Sequence, residues 1–216
     1  MFSLLSQNPL EFLIVAALLI VAISVHEFAH AAASDYLGDP TPRLSGRLTL
    51  NPLVHLDPVG TFLLFFAGFG WGKPVMFDPF NLRNPRRDAA IISLAGPASN
   101  ILMAVLGSVF IRLTQNIPLF PLNSLIFEIL SLFIYYNVLL AIFNLIPIHP
   151  LDGFKVVGGM LPEQYSRQWN ELEPYGLFFL LFLMFPLFGT TAPIQTIISP
   201  IINIILSILL PTAPLI

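Results

Sequence analysis

His26-Glu27-Phe28-Ala29-His30 sets two imidazoles four residues apart, with a carboxylate beside the first. On a helix, positions 26 and 30 differ by about 40° around the axis, and Glu27 lies about 100° from His26, so all three can face one interior point. Two imidazoles one turn apart can hold one zinc ion, and the adjacent carboxylate can serve as a general base. The five residues alone arise by chance in many chains, so their surroundings decide. Here they end an apolar run, Pro9 to Ser34, in which Glu11 is the only charge before the motif. Ionisable groups at bilayer depth are costly and are by default functional.

A catalytic zinc needs a third protein ligand and an open position for water. The chain has no cysteine, which excludes disulfides, thiolate ligands and a cysteine nucleophile, so the third ligand must be a histidine or a carboxylate. The candidate is Asp152, in Asn144-Leu145-Ile146-Pro147-Ile148-His149-Pro150-Leu151-Asp152-Gly153. Pro147 and Pro150 cannot continue a helix, and Gly153 permits a turn closed to other residues. Irregular backbone survives at membrane depth only where it is buried in protein or lines a wet cavity. The competing reading is an ordinary Asp-Gly turn at the interface.

Composition defines the solvent. Of 216 residues, 56% are apolar and 10% charged, and the mean hydropathy is +0.84. Soluble domains carry about a quarter charged residues, so the chain reads as an all-α polytopic membrane protein. The nine Lys and Arg are not clustered for nucleic acid. Twenty prolines and thirteen glycines predict broken or looped segments. The first run lacks a basic n-region and exceeds an h-region in length, so it is expected to be a retained helix.

The elements that position the motif follow. Pro9 to Ser34 spans about 39 Å as a helix, enough to cross a bilayer with tilt. Gly38, Pro40 and Pro42 stop it, and Arg43 to Leu50 alternates weakly, as a strand or hairpin would. Val59 to Phe69 is too short to span and has basic flanks on both sides, Arg43 and Arg47 before it and Lys73, Arg83, Arg86 and Arg87 after it, which predicts a membrane-dipping or re-entrant segment, with a short helix as the alternative. Ala89 to Leu113 and Asn123 to Ile146 are two further spans; Tyr175 to Leu187 and Ile194 to Leu210 are two more apolar runs, divided around Gly189 and Pro193. The expectation is about five membrane helices (range four to six), with a short β or re-entrant segment between the first two clear spans. The charge bias puts the N-terminus outside and the motif at the cytoplasmic end.

H-E-F-A-H, N-P-L-V-H-L-D-P-V-G-T (51–61), W-G-K-P-V (71–75), N-L-R-N-P-R-R-D (81–88), G-P-A-S-N (96–100) and N-L-I-P-I-H-P-L-D-G (144–153), in this order, resemble the site-2 protease family of intramembrane zinc metalloproteases. The resemblance covers about residues 20 to 180 and is strongest to compact bacterial-type members without PDZ or CBS domains. It implies one zinc ion held by His26, His30 and Asp152, with Glu27 as catalytic carboxylate and Asn144 binding the substrate carbonyl or oxyanion. It also implies a single membrane-embedded protease domain over 1–216, with its catalytic core at about 9–155 and C-terminal helices at about 175–210. Its substrate would be a transmembrane-helix protein in the lipid bilayer of a bacterial-type cell membrane, cut by regulated intramembrane proteolysis.

The bland roles stand beside these. Asn137 and Asn100 suit hydrogen bonds between membrane helices, with Gly96 allowing close approach; Asn100 is also a candidate for supporting the site. His55 and Asp57 are divided between holding a segment near the metal and stabilising a turn. His149 would compete as a ligand if it points inward, and otherwise is an interfacial hydrogen-bonding residue. Arg43 to Leu50 is the candidate edge for trapping an unwound substrate by β-addition. The rival function is a metal transporter or metal-binding membrane protein using the same His and Asp cluster.

Overall fold

A computed structural model describes residues 7–67, 70–114, 125–186 and 191–211. The first helix, α1 (Pro9–Tyr36), starts where the Asn8 side chain accepts the Glu11 amide and Pro9 occupies the first turn. It ends at Gly38, whose φ of 106° lies in the left-handed region that disfavours a Cβ. Two short helices follow, α2 (Thr41–Leu44) and α3 (Pro52–His55), then α4 (Pro58–Ala67). Beyond these come α5 (Pro85–Thr114), α6 (Leu125–Asn144), α7 (Asp152–Met160), α8 (Glu163–Asn170), α9 (Gly176–Met184) and α10 (Pro193–Leu209).

Three of these, α1, α5 and α6, are long and apolar enough to cross a membrane, and α10 is a shorter apolar helix. The chain is an integral, all-α membrane protein. The four segments agree with the expected spans to within a few residues. The fifth, α9, has nine residues, and α4 has ten; neither crosses about 30 Å of hydrocarbon at 1.5 Å per residue. The expected segment ends at Phe69 and Asn123, and the break at Gly189, lie outside the described residues.

The strand expected over Arg43–Leu50 is not present. Thr41–Leu44 is a helical turn and residues 45–50 are turns and bends; among the described residues an isolated antiparallel bridge pairs Leu56 with Gly72, beyond the expected strand. Proline at position 42 sits in the first turn of a helix without penalty, which outweighs the weak alternation after it.

Helix α5 is the hub, packing on α1, α6 and α7. With no water to expel, membrane helices associate through close packing and hydrogen bonds. Ala104 and Gly107 admit Ile134 and Val138 of α6; a Cβ on Gly107 would lie 3.0 Å from the Ile134 side chain. Helix α10 adds Ile194, Ile198, Ile202 and Leu206, four residues apart on one face, to the same core. At its end, Ser108 and Arg112 of α5 donate to the carbonyls of Leu209 and Ile208, satisfying groups left open at a helix C-terminus.

Asp39 ties the loops to α1. It is fully buried and accepts from Ser34 Oγ (3.0 Å), the Thr41 amide (3.1 Å), Thr41 Oγ1 (2.6 Å), the Asp78 amide (2.8 Å) and Asn81 Nδ2 (2.9 Å). Burial opposes its charge, but these donors outweigh burial and hold its pKa down at about 2. Because the folded value lies below the unfolded value of about 3.9, the stabilisation is complete above that range and is lost as pH falls toward about 2. Asp39→Ala is expected to cost about 3 kcal/mol by stranding buried donors. A melting curve of the purified protein at pH 7 should show a clear drop in Tm. The gap from wild type should narrow on acidification below pH about 4; an unchanged Tm at pH 7 would refute the assignment.

Candidate metal centre

His26 and His30 lie on one face of α1, 4% and 7% exposed. Asp152 reaches them from the first turn of α7. The distances are 3.0 Å between the two Nε2 atoms, 3.1 Å from His26 Nε2 to Asp152 Oδ2 and 3.2 Å from His30 Nε2 to the same oxygen. Ligands about 2.0–2.1 Å from a tetrahedral zinc stand about 3.3 Å apart, so this near-equilateral triangle suits one face of such a site.

The tautomers point the same way. Asn137 Nδ2 donates to the Phe133 carbonyl, which leaves its Oδ1 to accept from Asn100 Nδ2 (3.0 Å). Asn100 Nδ2 also reaches the Ala22 carbonyl, so Asn100 Oδ1 faces His26 Nδ1 at 2.6 Å and must accept from it. His30 Nδ1 likewise donates to the Ile92 carbonyl at 2.7 Å. With both Nδ1 atoms protonated, two Nε2 lone pairs face each other and a carboxylate oxygen. That cluster is repulsive without a cation between its members.

Helix α5 closes one wall. A Cβ on Gly96 would lie 2.4 Å from His30 Nε2 and 2.6 Å from His26 Nε2, so glycine at this position preserves the space the ligand atoms surround. Gly153 is needed for a related reason. Its φ is not positive, but a Cβ there would lie 2.2 Å from the Leu145 carbonyl oxygen and 2.5 Å from that of Ile146. The expected requirement for glycine holds through close approach rather than a turn.

The cavity, about 310 Å³, is lined by His26, Glu27, His30, Asn144 and Asp152, by Lys155, and by Trp71, Gly72, Pro74, Val75 and Phe77. Glu27 is not one of the three clustered ligands; its Oε2 accepts the Val75 amide at 3.2 Å. Asn144 lines the cavity; its Nδ2 donates to Leu140 O at 2.9 Å, a bond that uses one of its two N–H groups.

The remaining candidates are placed elsewhere. His55 Nε2 meets the Thr49 carbonyl at 2.6 Å, and the His55 carbonyl accepts the Lys73 amide at 2.7 Å. His55 therefore holds the loop that carries Gly72 to the cavity. Asp57 Oδ1 accepts the Gly60 amide at 2.8 Å, so it caps α4. His149 points to Glu173 (3.7 Å) and stacks edge-on with Phe154. Arg47, read from sequence as a flanking charge, is buried and donates to the Val54 and Lys73 carbonyls.

An all-helical membrane scaffold enclosing a His-His-Asp cluster, beside a carboxylate that is not one of its members, fits a membrane metallohydrolase. Comparison with known proteins makes this specific: the chain belongs to peptidase family M50, the site-2 protease family of zinc metalloproteases. The family profile matches residues 121–187. A putative zinc metalloprotease, YwhC of Bacillus subtilis, is 37% identical over 169 residues, covering 77% of this chain and 76% of its own. Rip2 of Mycobacterium tuberculosis, also a putative zinc metalloprotease, is 29% identical over 178 residues, covering 80% of this chain and 66% of its own. No solved structure matches. The protein is a membrane zinc metalloprotease with one zinc cofactor.

Proposed function

We propose that this protease cuts a peptide bond within or at the edge of a transmembrane segment of another membrane protein, in regulated intramembrane proteolysis. The observation that carries the reading is the position of the cluster: two of its members lie on a membrane-spanning helix, and its cavity is walled by α5 and α6, both also long enough to span.

His26, His30 and Asp152 would hold the zinc, which would supply Lewis acidity toward a water and the scissile carbonyl. Asn100 and the Ile92 carbonyl fix the two imidazoles with Nε2 toward the metal, as supporting partners of ligand histidines do. Glu27, beside the cluster, takes the proton of the attacking water and returns it to the leaving amine. The Asn144 amide, which lines the cavity and has a second N–H beyond the one given to Leu140, stabilises the developing oxyanion. A ligand cage built for transport would leave Glu27 without a role.

Eight of the nine Lys and Arg lie at the end of the bundle that carries the cavity, and Arg112 lies at the other. By the positive-inside bias this distribution supports an active site on the cytoplasmic side, in a bacterial-type cell membrane. The test is cleavage of a candidate single-span substrate in reconstituted membranes, paired with metal analysis. Wild type should carry one zinc per chain and cleave. Asp152→Ala should lose both, because removing one of three protein ligands leaves too few to retain the ion. Cleavage by a zinc-free Asp152→Ala protein would refute the ligand set.

A further inference from the structure

Three acidic or basic side chains other than histidine line the metal cavity: Glu27, Asp152 and Lys155. The two carboxylates match a divalent cation charge for charge, and Lys155 is left over, so the loaded cavity holds one uncompensated positive charge. Lys155 follows Asp152 by three residues on α7, about 4.5 Å along the axis and on the same face. Its Nζ lies 5.0 Å from the centroid of the Phe77 ring, which also belongs to the cavity wall. Lys155 is exposed overall, and that contact draws its ammonium toward the cavity wall. Among the described residues Lys155 forms no ion pair. A cation held by an aromatic face, next to a metal ligand and lacking a carboxylate partner, is a seat for an anion.

Resting on the protease reading, we infer that Lys155 is a specificity-determining residue that receives an acidic side chain of the substrate close to the scissile bond. An extended peptide advances about 3.4 Å per residue, so the acid falls within about three residues of the bond cut. A lipid phosphate shares this chemistry. The position of Lys155 in the same cavity as Asn144 and Asp152 favours the peptide.

The test measures binding, with cleavage as a separate readout. Labelled single-span peptides, with Glu, Gln or Lys moved residue by residue through one half of the span, are titrated onto Glu27→Gln protein in phosphatidylcholine nanodiscs. One register should bind the Glu peptide about fivefold more tightly than its Gln counterpart, the scale of a partly exposed ion pair. Adding Lys155→Arg should keep the preference, and Lys155→Glu should invert it toward the Lys peptide at unchanged zinc content. An order of preference that Lys155→Glu leaves alone, or no discriminating register, overturns the proposal. So does loss of the preference when phosphatidylglycerol is added, which would assign the charge to a headgroup. If protein with Glu27 intact cleaves nothing while the inversion is observed, the protease reading fails and the anion seat stands. Cleavage without inversion removes Lys155 alone.

Discussion

Glu27→Gln is expected to lower the rate of proteolysis by about 10³-fold while the protein keeps one zinc per chain. The separation rests on geometry. The three ligand atoms lie within 4.8 Å of one another and belong to His26, His30 and Asp152; Glu27 shares their cavity without joining them. Its anchor is the Val75 amide, and glutamine has the same shape and retains an oxygen to accept that hydrogen bond. The amide has no basic site, so it can neither take a proton from water nor return one to the leaving nitrogen. Losing a positioned general base costs about 10² to 10⁴ in rate, and in the proposed mechanism the same group serves twice. Parallel measurement of kcat and of zinc by elemental analysis decides the matter. Activity within tenfold of wild type would transfer the base to another group, and loss of zinc would make Glu27 a ligand.

Much of this site was legible because its parts are local. The spacing of His26 and His30 is a helical property, and the apolar run around them declares the helix. Asp152 is marked by the prolines before it and the glycine after it. What local pattern cannot supply is which distant carbonyl or amide a polar side chain will meet. Asn137 looked like a packing residue. It is one, but through Asn100 it also sets the tautomer of His26, a relation across α1, α5 and α6. Asp39 and Arg47 act on backbone groups about 40 and 26 residues away, and no periodicity encodes such a partner. The turn at Asp39-Pro40-Thr41 had a readable signal, an Asx residue capping two positions on, yet its reach to Asp78 and Asn81 did not. The strand expected at 43–50 failed for the converse reason: eight weakly alternating residues specify little unless a partner strand is present.

Gly96→Ala is expected to empty the metal centre with less change than any ligand substitution: one methyl, on a helix that donates no proposed ligand. The new carbon would lie 2.4 to 2.6 Å from both Nε2 atoms, where carbon contacts normally settle near 3.5 Å. About 1 Å of relief is needed, and each way of finding it is blocked. Rotating the imidazoles breaks the bonds from His26 Nδ1 to Asn100 and from His30 Nδ1 to the Ile92 carbonyl. Moving α5 carries both acceptors with it, since Ile92 and Asn100 flank Gly96 on that helix, and strains its packing on α1, α6 and α7. Zinc affinity should fall by at least about 100-fold, the upper range for losing the partners that orient ligand histidines, and proteolysis should fall with it. Gly107→Ala is the matched control. Its Cβ meets the side chain of Ile134 at 3.0 Å, which can give way by a few tenths of an ångström, so zinc should be retained. Chelator competition on both variants, with circular dichroism to verify helix content, reads the difference. Wild-type zinc affinity in Gly96→Ala would mean that the ion does not occupy the space this glycine keeps open.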